Sequence, residues 1–126
     1  MVKYQHQNTK ESGYMDLMFG ALSDETRRDI LRRLSKEKRL TVTQIASPYI
    51  EEKVMSFPAV SKHIKILGQS GLIKIKAEGR ARIVIANPRA ILKIQKYLDF
   101  YVKFWNSHMD SLEKYLKESK VKKNGR

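Results

Sequence analysis

Apolar residues recur along most of this chain at helical spacing, and in one short stretch the period changes to two. Tyr14, Leu17, Met18, Ala21 and Leu22 form the apolar side of a first predicted helix over about Ser12 to Leu22, with Gly20 as an internal weak point. Ser23 and Asp24 interrupt the pattern and can cap a second helix from Glu25 to about Ser35. In that helix Ile30, Leu31 and Leu34 face inward, and Arg27, Arg28, Arg32 and Arg33 read as a solvated face partly paired with Asp24, Glu25 and Asp29. A charged turn follows. Leu40 to Val42 then predicts a short extended piece, and Thr43 the cap of a brief helix that holds Ile45 and Ala46 and is limited by Pro48. Between Ser47 and Met55 the chain is either a long turn or one further helical turn.

Ser56 is a good N-cap, and Pro58 falls in a first turn where its missing N–H does little harm. Val60, Ile64 and Leu67 follow at i, i+4 and i+7, so a short amphipathic helix is predicted whose opposite face carries Ser61, Lys62 and Lys65. Gly71 can serve as its left-handed stop. Leu72 to Glu78 and Arg80 to Ala86 then alternate around Gly79, with apolar residues at 73, 75 and 77 and again at 81, 83 and 85. The expectation is a hairpin in which Ile73, Ile75, Ile83 and Ile85 line one buried face, while Lys74, Lys76, Arg80 and Arg82 occupy the other face and the tip. Two helices separated by a turn, followed by a hairpin with a basic tip, predict a helix-turn-helix with a wing.

Asn87 and Pro88 supply a cap and first residue for a helix that continues to about Glu118. A rod of ~30 residues is ~45 Å long, too long for one small core to cover. Ile91, Leu98, Trp105 and Leu112 repeat every seven residues, as do Ile94, Tyr101, His108 and Tyr115, with Tyr97 and Phe104 broadening the stripe. The first turns are expected to pack on their own domain, and the stripe beyond about Tyr101 on a partner subunit.

Composition narrows the function. In 126 residues, Lys and Arg total 26 against 13 Asp and Glu, giving a formal net charge of +13 that suits a polyanionic partner. Between Ser56 and Arg89 the basic residues Lys62, Lys65, Lys74, Lys76, Arg80, Arg82 and Arg89 face Glu78 alone. The longest apolar run, Leu17 to Leu22, is far short of the ~20 residues of a membrane span, so no membrane partner is expected. Met1 to Gly13 has no signal-peptide core, and the absence of cysteine removes disulfides and thiolate ligands, so the expected location is cytoplasmic. No nucleophile–base pair, paired carboxylates or glycine-rich phosphate loop is visible, and an enzyme is not expected. His108 reads as an interface or core-edge residue rather than a metal ligand. For His63, packing or hydrogen bonding competes evenly with a phosphate contact, and His6 says nothing.

The run Leu22-Ser23-Asp24-Glu25-Thr26-Arg27-Arg28, the stretch from Met55 to Leu67, Gly71-Leu72-Ile73 and Gly79-Arg80 resemble the winged-helix repressors of the ArsR family. Tyr97 to Trp105 and Leu112 to Leu116 are similar to that family's metal-independent branch. The resemblance covers about Tyr14 to Glu118. It implies a homodimer joined through the first and last helices, with the Pro58–Leu67 helix in the major groove and the Gly79 hairpin reaching toward the minor groove or backbone. One departure is the segment Pro48 to Val54, a few residues longer than the family's usual turn. The cysteine pair and the Asp and His ligands of the family's metal sensors have no counterpart, since the helix at Thr43 lacks cysteine and His108 stands with Asp99, Asp110 and Glu113 at unsuitable spacing. No metal or other cofactor is expected, and the effector is unknown.

The resulting expectation is a mainly α fold with a small β-hairpin, a dimeric winged helix-turn-helix of order α-α-α-α-β-β-α. Its parts are a flexible arm over residues 1–12, a DNA-binding domain over 13–88, a dimerisation helix over 89–118 and a flexible basic tail over 119–126. The expected DNA-binding residues are Ser56, Phe57, Ser61, Lys62, Lys65, Lys76, Arg80 and Arg82. Phe57, Ser61 and Lys62 would approach base edges, and Lys65 with the wing cations would contact phosphates. Tyr14, Leu17, Met18, Leu98, Tyr101, Trp105, His108, Leu112 and Tyr115 are expected at the dimer interface. The function read from this is a sequence-specific transcriptional regulator of nucleoid DNA, a repressor that binds an inverted repeat in duplex DNA. The alternative is an architectural nucleoid protein that tolerates any sequence.

Overall fold

The computed structural model describes the backbone of residues 9–124 and the side chains of residues 12–120. The chain runs α1 (Thr9–Leu22), α2 (Glu25–Glu37), β1 (Arg39–Thr41), α3 (Val42–Glu51), α4 (Phe57–Gln69), β2 (Ile73–Glu78), β3 (Ala81–Ala86) and α5 (Pro88–Asn124). It divides into two compact units, Met1–Ile91 and Leu92–Arg126. The fold is mainly helical, as expected, with one addition to the expected order. The extended piece before α3 is a third strand, so that the sheet is antiparallel with order β1-β3-β2.

Helix ends explain several differences from the expected boundaries. Apolar periodicity reports only the part of a helix that is buried, whereas α1 begins in the polar stretch at Thr9, inside the arm expected over residues 1–12; the arm's first eight residues lie outside the described range. In the same way α5 continues through the Lys-rich stretch expected as a tail, as far as Asn124. The cap of α3 is Thr41 rather than Thr43. Its hydroxyl accepts the Gln44 amide at 3.0 Å while the Gln44 side chain accepts the Thr41 amide at 2.8 Å, a reciprocal capping box.

Pro48 does not end α3. The helix runs on to Glu51, although Pro48 cannot donate to the Gln44 carbonyl four residues back. The Arg33 guanidinium fills that gap from α2, donating from Nη2 to Gln44 O and from Nη1 to Ile45 O, each at 2.8 Å. Beyond Glu51 the chain reverses tightly, with Lys53 in the left-handed region at φ 55° and the Val54 amide returning to Tyr49 O at 2.9 Å. Of the two conformations open to Pro48–Val54, the chain therefore adopts the further helical turn, closed by a compact reversal.

The core of the first unit is contiguous. Ile30 and Leu34 of α2, Ile45 of α3, Val60 and Leu67 of α4, Leu72 just before β2 and Val84 of β3 are its largest fully buried side chains, and Met18 and Ala21 of α1 are buried as well. In the hairpin the register differs from the expected one. Ile73 pairs with Ala86 and Ile75 with Val84, so Val84 shares the inward face with Ile73 and Ile75. Ile83 and Ile85 pair with Lys76 and Lys74 and lie half-buried on the opposite face. Arg82, paired with Ala77, lies on the same face as Ile75 rather than with the lysines.

Candidate nucleic-acid interface

Ser56 starts α4 by accepting the Ala59 amide on its hydroxyl at 3.3 Å, with Pro58 in the first turn. Burial of Val60, Ile64 and Leu67 fixes the rotation of the helix, leaving Lys62 and Lys65 exposed and Ser61 half-buried. The far end is held equally firmly. Gly71 takes φ +80°, and the buried Ser70 hydroxyl donates to Leu67 O at 2.7 Å. The Asn87 side-chain amide donates to Gly71 O at 2.8 Å, and its backbone carbonyl receives the Ala90 amide at the start of α5. The end of β3 is thus tied to the turn that leads from α4 into β2.

The hairpin turns through Gly79 and Arg80. Gly79 has φ +61°, while Arg80 is not left-handed, the pattern of a type II′ connection in which only the first central residue needs glycine's freedom. Between α4 and the edge strand β2 lies an open groove of about 1220 Å³ whose lining includes Ser61, Lys62, Lys65, Gln69, Lys74, Lys76 and Arg82. A second groove of about 530 Å³ is lined by Thr41, Val42, Thr43, Phe57, Ser61, Arg80, Ala81 and Arg82. Ser61 and Arg82 line both. Among the described residues no carboxylate lines either groove. Glu78, the lone acid between Ser56 and Arg89, pairs instead with Arg39 across the sheet. The structure therefore brings together seven of the eight residues expected to meet DNA. Ser56 lines neither groove and serves as the cap. Thr41, Thr43, Gln69 and Lys74 join them.

The arginines of α2 have structural partners. Arg27 Nε donates to Ala21 O at 2.7 Å and Nη2 to Gly20 O at 3.1 Å, and Arg28 Nη1 donates to Leu22 O at 2.8 Å. Together they close the C-terminal carbonyls of α1. With Arg33 on α3, only Arg32, beside Asp29 at 3.7 Å, remains the solvated residue expected of all four. Arg27 Nη1 also lies 3.1 Å from His63 Nδ1, where the guanidinium donates to an unprotonated ring nitrogen, and Asp24 Oδ2 lies 3.7 Å from the same atom. His63 thus joins α4 to α1 and α2 by hydrogen bonding. The amide of Arg27, capped by Asp24, holds that carboxyl below its ordinary range, aided by the Arg27 charge and partly opposed by burial.

Of the residues expected at a dimer interface, Met18 is only 3 % exposed and belongs to the chain's own core, because it lies on the same side of α1 as Ala21. Tyr14 and Leu17 on α1 are exposed. On α5, Ala90 and Ile94 are buried, but exposure starts earlier than Tyr101: Ile91 and Leu98 are already exposed, as are Tyr101, Trp105, Leu112 and Tyr115. His108 is exposed, its ring edge-on to Phe104 with centroids 4.4 Å apart. Among the described residues there is no group of three or more His, Cys, Asp or Glu able to hold a metal, and no helix is long and apolar enough to cross a membrane.

Residues 22–75, from the end of α1 into β2, match a family described as a helix-turn-helix domain. The uncharacterized HTH-type transcriptional regulator YuzN of Bacillus subtilis (strain 168) is 33% identical over 87 residues, covering 68% of this chain and 95% of that protein. The HTH-type transcriptional regulator Rv2034 of Mycobacterium tuberculosis is 32% identical over 90 residues, covering 71% of this chain and 77% of its own. The crystal structure of the ArsR family transcriptional regulator RHA00566 superposes with a TM-score of 0.68 at 30% identity, covering 85% of this chain and 98% of that one. An ArsR-like regulator from Rhodococcus sp. RHA1 has the same fold, with a TM-score of 0.69 at 22% identity over 89% of this chain and 98% of its own.

Proposed function

Because the chain belongs to the ArsR family of winged helix-turn-helix transcriptional regulators, DNA-binding proteins rather than enzymes, we propose that it is a repressor that binds an inverted repeat as a homodimer. The observation that carries this reading is the pair of carboxylate-free basic grooves that meet at Ser61 and Arg82. A duplex presents base edges between two rails of phosphate. Phe57, Ser61 and Lys62, on the N-terminal half of α4, reach the base edges, and Lys65, Lys76, Arg80 and Arg82 contact the rails. Lysine can donate to guanine O6 and N7, and serine to any base. Occlusion of a promoter is the output.

Dimerisation is supported by α5, where Leu98, Tyr101, Trp105, Leu112 and Tyr115 are each at least 41% exposed. An apolar series of this extent on one helix is what a second copy would cover. A two-fold pair would set two copies of α4 in successive major grooves, ~34 Å apart.

The test is a fluorescence-anisotropy salt titration on a promoter fragment and an unrelated duplex. Lys62→Ala is expected to weaken the specific fragment and leave the unrelated one nearly unchanged. Arg80→Ala is expected to weaken both and to lower the slope of log K against log salt by about one. An unchanged slope in Arg80→Ala would remove the hairpin from the interface. Equal displacement of the promoter fragment by unrelated duplex at physiological salt would support a sequence-tolerant architectural protein instead.

A further inference from the structure

We infer that Phe57 reads the C5-methyl group of a thymine in each half-site, an inference that rests on the DNA-binding role proposed for α4. Phe57 is the first residue of α4 and is 44% exposed. A phenylalanine left that open forgoes much of the burial it could gain, and no demand of helix initiation places it there, since Ser56 caps and Pro58 sets the backbone. Its surroundings are specific. It shares its groove with the hydroxyl-bearing Thr41, Thr43 and Ser61 and with Arg80 and Arg82, and with no carboxylate. An exposed ring in the lining of a cationic groove fits a partner with an anionic rim and an apolar spot within it.

Duplex DNA has one apolar group on its major-groove edge, the methyl of thymine, and that group is the one an aromatic side chain can read. The N-terminal residues of a recognition helix are those that come closest to the base edges. Phe57 also stands one turn before Ser61, on the same side of the helix, while both arginines lie across the groove on the hairpin strand and its turn. The arginines are thus placed for the phosphates flanking the base that the ring touches. Of the apolar side chains that α4 offers to the grooves, Phe57 is the large exposed one, beside the smaller Pro58 and the half-buried Ile66 of the other groove, so it is the position best placed to tell thymine from cytosine by the methyl.

Deoxyuridine, which pairs like thymine but lacks the methyl, is the probe. Duplexes enriched from a random pool by the wild-type chain are resynthesised with each thymine of the half-site replaced in turn, and binding is measured by anisotropy for the wild type, Phe57→Ala and Phe57→Leu. The wild type is expected to lose roughly fourfold per half-site at one thymine, the worth of one buried methyl. Phe57→Ala is expected to bind the thymine and deoxyuridine duplexes equally, and Phe57→Leu to keep part of the difference. The inference is overturned if no thymine methyl in the enriched motif matters to the wild type, or if Phe57→Ala loses as much as the wild type does. An absence of any enriched motif overturns the DNA-reading function itself, a result distinct from a motif insensitive to the methyl. Thermal melting of both variants checks that they fold, and the wild-type comparison alone already decides whether a methyl is read.

Discussion

Tyr49 shows how a side chain outside the grooves holds the element in front of α4. Its hydroxyl donates to the Asp29 carboxylate, and the Arg33 guanidinium carbon lies 5.9 Å from its ring centroid. Burial, then the hydrogen bond and charge of Asp29, push its phenol up to about 12, partly opposed by Arg33. The unfolded chain gives up this proton near the ordinary value of 10, whereas the folded chain keeps it to about 12. In that window the native state binds more protons, so stability falls as pH rises; below it the contribution is fully present. Tyr49→Phe is expected to cost about 1 kcal/mol at neutral pH through the lost hydrogen bond. The variant should also lose less stability than the wild type between pH ~8 and ~11 in urea melts, and equal losses would contradict the assignment. Nothing in the sequence pattern pointed to Tyr49 or Arg33, because a hydrogen bond between α2 and α3 leaves no period. The charges of α2 alone suggested a solvated face, and three of its four arginines instead satisfy carbonyls that two other helices leave open.

The strongest such repair is made by Arg33, which donates to the Gln44 carbonyl that Pro48 leaves open and to its neighbour Ile45 O. Hydrogen bonds from a charged donor are worth about 1.5–3 kcal/mol each and less where exposed, as the one to Gln44 O is, so Arg33→Met should destabilise by roughly 2–4 kcal/mol. Pro48→Ala restores the amide that Gln44 O lacks. In that background Arg33→Met should cost at least about 1 kcal/mol less, measured as a double-mutant cycle in urea. Additive losses would show that the guanidinium and the proline are independent. The helices themselves were legible from period and caps, as the buried triad of α4 and the Asn87-Pro88 start of α5 illustrate. The hairpin was legible in existence but not in register. With a two-residue turn at Gly79 and Arg80, Glu78 must pair with Ala81, which sends Ile75 to Val84 and not to Ile83 or Ile85. Counting apolar positions without the parity of the turn assigned the two strands' isoleucines to one face. The strand at Arg39–Thr41 is three residues long, too short to show a period at all.

Each protomer is expected to contribute α4 and its hairpin to one half-site, and the exposed stripe of α5 to a partner. Trp105→Glu and Leu112→Glu, at positions 60% and 50% exposed, should leave the melting of the first unit unchanged while converting the protein to monomers by analytical ultracentrifugation. Operator affinity should fall by at least about tenfold, since the second half-site no longer joins the first. The basic grooves were legible as charge concentrated between Ser56 and Arg89, and the adjoining threonines of β1 and α3 were not, because they come from a separate stretch of chain. The central claim, a two-fold reader of specific sequence, is tested most directly by enriching bound fragments from random duplex DNA and sequencing them. The expected result is an inverted repeat whose half-sites are centred ~10–10.5 base pairs, or a whole number of helical turns, apart. Enrichment of no motif, or of a single unrepeated site, would contradict it.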